Sequence, residues 1–175
     1  MKRVIIAILL MAMPFVVDAQ KKAQREADND TAQWRYEIER VDLRGTGVVG
    51  DGTVVPIKVW SFSEKPEVAQ AQAYKNAVHG VIFKGVPMLG RVPGIDPLCP
   101  NLAVETQNAE YFRAFFANGG PYMRFCSNSG KGINTSTLKI DKKTYKVGVN
   151  VIVNVEALRQ ELERAGVIKK LGGRF

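Results

Sequence analysis

Strict alternation near the C-terminus constrains the fold more than any other feature of this sequence. Tyrosine or valine occupies every second position from Tyr145 to Val153, and polar residues or glycine fill most of the positions between them. Side chains of a β-strand point alternately to the two faces of a sheet, so the pattern predicts a strand with one buried face. A polar turn at 141–144 separates it from residues 137–140, and the two segments together predict a β-hairpin.

The rest of the chain predicts a mixture of strands and helices. Proline at position 66 and the acidic Glu67 are typical of a helix start, and Asn154 can cap a helix that follows the C-terminal strand. Four prolines and three glycines between Gly85 and Leu102 predict a long ordered loop. Strands are predicted at residues 34–43, 54–62 and 122–126, and helices at 66–79, at 108–117 and after Asn154.

The order of these elements indicates the fold class. It is β-β-α, then a loop with a helix, then β-β-α, and the economical arrangement is an α+β fold with an antiparallel sheet and helices packed on one face. Ala69, Ala73 and Ala77 recur every four residues of the first predicted helix. Such a stripe of small residues allows that helix to lie close to the sheet.

The first nineteen residues have the layout of a cleavable secretory signal peptide. Lys2 and Arg3 precede an apolar run over 4–17, and Val17 and Ala19 suit the −3 and −1 positions of a cleavage site. The run is too short for an ordinary membrane span; the alternative is a retained core helix. We therefore predict a signal peptide at 1–19, a polar lead-in at 20–33, a single α+β domain at 34–175, and a periplasmic or secreted location.

The charge balance narrows the classes of partner. The chain has 25 basic and 17 acidic residues, a net charge of +8. Removal of Lys2, Arg3 and Asp18 with the leader leaves 23 basic and 16 acidic side chains, so the mature net charge is +7. Excess positive charge favours anionic surfaces. For an exported chain, the expected partner is an envelope protein or an anionic envelope surface, and not nucleic acid. We expect no membrane span after cleavage, and the chain could form a homo-oligomer.

Two cysteines and one histidine limit the chemistry that the chain can support. An oxidising compartment favours a disulfide between Cys99 and Cys126, worth about 3–4 kcal/mol by the loop-entropy argument. Two buried free thiols are the alternative. His79 could pair with either cysteine for nucleophilic catalysis, but its place near a helix C-terminus favours a partly charged, structural imidazole. The sequence predicts no catalytic residue, no metal site and no cofactor.

A glycine-rich segment precedes the second strand. Gly45, Gly47 and Gly50 match the G-x-G-x-x-G string of dinucleotide sites, but a strand and not a helix follows them. Helix amides therefore cannot meet a pyrophosphate there. We expect a hairpin edge, and we take these three glycines with Gly52 and Trp60 as interaction candidates.

Three stretches carry a resemblance to known proteins. The sequences KVWSF at 58–62, PEVAQAQAYKNAVHGVIFK at 66–84 and YKVGVNVIVNVEAL at 145–158 make the chain resemble uncharacterised exported proteins of Bacteroides-type bacteria. Their pattern is also similar to envelope domains of the LPP20/FlgT/TolB-N group. The resemblance implies a non-enzymatic role in assembling envelope machinery. It rests on pattern and not on a diagnostic motif, so it carries no site residues. This chain lacks a lipid-attachment cysteine, so the resemblance does not extend to outer-membrane anchoring.

These observations together predict an exported, non-enzymatic interaction domain that binds another cell-envelope component. The contact surface would be the edge at residues 45–52 or the free face of the sheet. Two alternatives stay open: a hydrolase with a site under the 85–102 loop, and a glycan- or lipid-binding module. The last would need an aromatic groove, for which Trp34, Trp60 and Tyr122 are the candidates.

Overall fold

The protein has the predicted α+β fold, as a computed structural model that describes residues 22–23, 25–27, 34–41, 53–128 and 135–170. Within these ranges five strands form one open sheet in which every pairing is antiparallel. The central strand β5 pairs with β2 along its whole length, with β4 near its start and with β3 near its end. The strands are β1 (Tyr36–Arg40), β2 (Val54–Ser63), β3 (Cys126–Asn128), β4 (Ser136–Lys139) and β5 (Tyr145–Asn154).

Four α-helices with complete bounds and one 3-10 helix accompany the sheet in the described part of the chain, and residues 22–23 and 25–27 are also helical. Buried side chains from α1, α3 and α4 join the sheet in one apolar core. None of the helices described is long and apolar enough to cross a membrane. The helices are α1 (Pro66–Phe83), α2 (Ala103–Gln107), α3 (Ala109–Phe115), the 3-10 helix (Pro121–Phe125) and α4 (Val155–Arg164).

Helix α1 lies close against β2 and β5 because the residues on its inner face are small. Ala69, Ala73 and Ala77 are fully buried, as the alanine stripe predicts. One turn further on, Gly80 has no room for a Cβ, which would collide with the Ile38 side chain of β1. The Asn76 amide donates a hydrogen bond to the Ser61 hydroxyl at 2.8 Å, so α1 covers the sheet face that carries Ser61.

The C-terminal strand and helix also agree with the prediction. Val147, Val149, Val151 and Val153 are buried. The Asn154 side chain accepts a hydrogen bond from the Ala157 amide at 2.9 Å and caps α4. Leu158 and Leu162 of α4 are fully buried, so the amphipathic pattern places this helix on the core.

Three expected elements differ from those observed. Residues 122–126 were expected as a strand, but a 3-10 helix occupies Pro121–Phe125. Proline readily begins such a turn, and the turn places the Tyr122 and Phe125 side chains in the core. Helix α1 continues past residue 79 to Phe83, because the Val81 and Ile82 side chains are fully buried on the core. The helix predicted at 108–117 begins at Ala109 and ends at Phe115, and an unpredicted short helix precedes it.

The 85–102 segment is an ordered loop, as expected, and it begins with a small hairpin. Val86 and Ile95 exchange backbone hydrogen bonds of 2.8 Å, and Leu89 and Val92 exchange bonds of 3.1 and 2.9 Å across a two-residue turn. Gly90, the first residue of that turn, has φ +57°. No described residue other than glycine has a positive φ, so the turn is of type II′.

Candidate functional site

A cleft opens where α1, α2 and α3 meet the start of β1. Its volume is about 600 Å³, which lies within the range of small-ligand sites. Apolar and aromatic side chains form most of its wall, with a carboxylate, a hydroxyl and two cationic groups among them. We call it the Trp34 cleft; it is lined by Trp34, Lys75, Glu105, Thr106, Ala109, Phe112, Arg113, Phe116 and Ala117.

Trp34 provides a fixed aromatic surface in this cleft. Its indole stacks on the His79 imidazole, with ring centroids 4.2 Å apart, and meets Phe116 edge to face at 5.4 Å. The side chain nevertheless keeps 37% of its surface exposed. Contacts on two sides of the ring restrict its rotamers, so a ligand would meet a preorganised aromatic surface.

A chain of hydrogen bonds runs from the sheet through His79 to the cleft. The Tyr36 hydroxyl lies 2.5 Å from His79 Nδ1, and His79 Nε2 lies 3.2 Å from Glu105 Oε1. Burial raises the pKa of Tyr36 far above its usual range. The phenol is therefore protonated and donates to Nδ1.

His79 is consequently a neutral histidine with its proton on Nε2. Burial first, and then the charge of Lys84, lower its pKa to about 3, and its Nε2–H donates to the Glu105 carboxylate. The expectation of a partly charged imidazole at a helix end was wrong, because α1 extends to Phe83 and His79 is 7% exposed. Each ring nitrogen thus has a hydrogen-bond partner: Tyr36 at Nδ1 and Glu105 at Nε2.

The hydrogen bond from His79 positions the Glu105 side chain, which still reaches the cleft. Its side chain is 37% exposed, and partial burial raises the pKa of its carboxyl group. Arg113 lines the same cleft from α3, and the two side chains form no ion pair with each other. An acceptor and a donor thus share one cleft without neutralising each other.

The two cysteines lie away from this hydrogen-bond chain. Both are free thiols in the structure, and burial raises the pKa of Cys99 to about 11 and that of Cys126 to about 12. Thiols with such pKa values are almost fully protonated at neutral pH and are weak nucleophiles. Neither contacts His79, whose ring nitrogens are bonded elsewhere; the disulfide itself stays a prediction.

Trp60 lies on the sheet face opposite α1, packed beneath basic side chains. The Lys58 ammonium lies 4.3 Å and the Lys146 ammonium 5.1 Å from the centre of its rings. Lys146 also forms a 2.6 Å ion pair with Glu37. The indole Nε1 is buried and has no hydrogen-bond partner among the described residues. Trp60 is partly buried whereas Trp34 is exposed, so Trp60 offers an approaching molecule less surface.

The remaining predicted site residues fall into two groups. Gly45, Gly47, Gly50 and Gly52 lie outside the described residues, as does the signal peptide at 1–19. Tyr122, named as a groove aromatic, is fully buried, because the 3-10 helix turns its ring into the core. It cannot line a groove.

Sequence reasoning named Trp34 but missed Tyr36, Glu105 and Arg113. Glu105 lies 26 positions after His79 and Tyr36 lies 43 before it, so no local spacing connects them. The one usable signal was the single histidine of the chain, at position 79 in the first predicted helix. No cluster of three metal-ligating side chains occurs among the described residues.

Comparison of the chain with protein-family models, with curated proteins and with solved structures finds no match in any of the three. The residues of the cleft are therefore the basis for inferring what the chain does.

Proposed function

We propose that this chain is an exported, non-enzymatic binding domain of the cell envelope that holds a saccharide component of the envelope in the Trp34 cleft. The observation that carries the proposal is the pairing, in one open cleft, of a fixed indole with an oriented carboxylate. The proposal joins the expected interaction role with the alternative of a glycan-binding module.

The polar groups of the cleft support a hydroxylated ligand. A Glu105 carboxylate only accepts hydrogen bonds, Arg113 only donates them, and Thr106 does both. Sugar hydroxyl groups donate and accept, so one ring can serve all three side chains. An amino acid could satisfy the two charges as well, but its charged ends are usually held in enclosed sites. Here Thr106 and Arg113 are exposed, which favours neutral hydroxyl groups.

The indole supports the same class of ligand. The face of an aromatic ring carries partial negative charge and attracts the weakly positive C–H groups of a flat apolar surface. One side of a pyranose ring is such a surface. Trp34 is 37% exposed and lines the cleft, so part of its indole is available to stack on a sugar ring.

The groups of the site with shifted pKa values, His79 and Glu105, fit binding better than catalysis. His79 is neutral and held by two partners, and its role is to orient Glu105. The alternative of a hydrolase under the 85–102 loop gains no support from the cleft, because none of its lining residues belongs to that loop.

A glycan array with the purified mature chain tests the proposal. Retention of at least one saccharide is expected, followed by at least about tenfold weaker binding for Trp34→Ala and Glu105→Gln. Glu110→Gln is the matched control, since Glu110 is an exposed acid on α3 outside the cleft lining; its affinity should stay within about twofold of wild type. Retention of no saccharide, or equal losses in Glu105→Gln and Glu110→Gln, would overturn it.

Export is tested separately by expressing the full chain in a Gram-negative host. The proposal expects mature protein in the periplasmic fraction with an N-terminus at Gln20. Protein that still begins at Met1 in the cytoplasmic fraction would contradict export while leaving the cleft untouched.

A further inference from the structure

The hairpin at the start of the 85–102 loop, over residues 86–95, has an exposed apolar tip on a buried base. Met88 is 68% exposed, and Leu89 and Val92 are 37% and 39% exposed. The base is fixed: Val86 is 4% exposed and belongs to the core. Apolar groups this exposed on a rigid protrusion mark a contact surface more often than single exposed side chains do.

The backbone of the hairpin holds these side chains outward. The type II′ turn at Gly90 and Arg91 closes the tip with two backbone hydrogen bonds. Arg40 of β1 donates a 2.8 Å hydrogen bond to the Pro93 carbonyl and ties the returning limb to the sheet. These bonds hold the tip in place, and Met88, Leu89 and Val92 are exposed in the described part of the chain.

We propose that the tip of this hairpin inserts into the headgroup region of an anionic lipid surface. The apolar side chains would enter the boundary between headgroups and acyl chains, as the apolar faces of interfacial segments do. Arg91 stands between Leu89 and Val92 in the chain and is exposed, so it can bind lipid phosphate. The positive net charge of the mature chain, +7, acts in the same direction.

A protein partner fits the tip less well. A specific protein interface buries about 800 Å² on each partner, and the tip of a two-residue turn offers only a few side chains. A lipid surface needs no shaped complement and gains from a few apolar groups beside one cation. This inference goes beyond the binding of a saccharide and does not depend on it.

Vesicle flotation with the mature chain tests the proposal. The probes are vesicles of phosphatidylcholine with phosphatidylglycerol, compared with vesicles of phosphatidylcholine alone. Binding to the anionic vesicles is expected, with at least about fivefold weaker partitioning for the double variant Met88→Ser/Leu89→Ser and for Arg91→Gln. Met123→Ser is the matched control, because Met123 is 51% exposed outside the hairpin, and its partitioning should be unchanged.

Two results would overturn the proposal. One is wild-type protein that floats with neither vesicle; the other is a hairpin variant that partitions as Met123→Ser does. The variants change only exposed side chains, so thermal unfolding should match wild type and exclude misfolding as the cause. Saccharide retention by the same variants should be unchanged, which separates failure of this proposal from failure of the cleft.

Discussion

Gly148 of β5 lies directly opposite Trp60 of β2 in the sheet, and a Cβ at position 148 would lie 2.8 Å from the indole ring. The indole thus occupies the space that a side chain would take, on the face opposite α1. The contact with the indole explains why β5 carries a glycine at position 148.

Replacing Gly148 by alanine should therefore destabilise the fold. The added methyl group must displace Trp60 or the Lys58 stem, which is 2.6 Å from the same Cβ position, and overpacking of this kind costs about 1–3 kcal/mol. Urea unfolding measures the change. The double variant Gly148→Ala/Trp60→Leu should recover part of the loss; an additive loss in the double variant would contradict the packing argument.

Acid should destabilise the protein through His79. Its pKa is 6.5 in the unfolded chain and about 3 when folded, so the unfolded state binds the proton first as the pH falls below 6.5. The stabilising effect of the neutral ring is complete above pH 6.5 and is lost progressively toward pH 3. Between pH 7.5 and 5 the loss is about 2 kcal/mol.

Urea unfolding at these two pH values checks the acid effect, with His79→Gln as the control. Glu105 acts with the opposite sign, because burial raises its pKa when folded and its protonation favours the native state. The control keeps Glu105 and removes the imidazole, so its stability should fall less than that of wild type. An equal fall in both proteins would contradict the assignment to His79.

Tyr36→Phe should weaken the protein and the cleft together. Loss of the phenol leaves His79 Nδ1 buried without its donor, which costs about 1–3 kcal/mol. It also frees the ring to change tautomer, so Glu105 loses its fixed donor and saccharide affinity should fall. Tyr145→Phe is the matched control, because Tyr145 is half-buried and lies on β5 outside the hydrogen-bond chain. Equal melting temperatures for the two variants would contradict a stabilising hydrogen bond between Tyr36 and His79.

The predicted disulfide can be read from the mass of the protein. Protein recovered from the periplasm should be lighter by two hydrogen atoms than the same protein after reduction, and before reduction it should resist alkylation at Cys99 and Cys126 under denaturing conditions. In the reduced protein both thiols should alkylate slowly at neutral pH when folded, since burial raises each pKa. Full alkylation of the denatured periplasmic protein would show that the cysteines stay free.

The sheet and its main helix could be predicted because their signals are local. The alternation in β5, the alanine stripe of α1 and the Asn154 cap each lie within one element. The 3-10 helix at Pro121–Phe125 could not, because a short, mostly apolar segment suits a strand or a turn equally well. Burial of Tyr122 in the core, a tertiary property, decides between them.

The cleft was mostly beyond prediction for the same reason. Trp34, His79 and Glu105 come from three separate segments, and only the antiparallel register of β1 on β2 brings Tyr36 under α1. A neutral, doubly bonded histidine cannot be distinguished in sequence from a charged one. The composition shows that the chain has a single histidine. This directs attention to position 79 but does not identify its hydrogen-bond partners.

Trp34 itself offers the most direct test of the central claim. The chain has two tryptophans, so Trp60→Phe leaves Trp34 as the sole indole fluorophore. Titration of this variant with the saccharide retained on the array should shift the Trp34 emission and protect it from iodide quenching, and Glu105→Gln in the same background should move the midpoint of both effects to at least about tenfold higher saccharide concentration. Saturating saccharide that leaves Trp34 emission and quenching unchanged would contradict a binding site in the cleft.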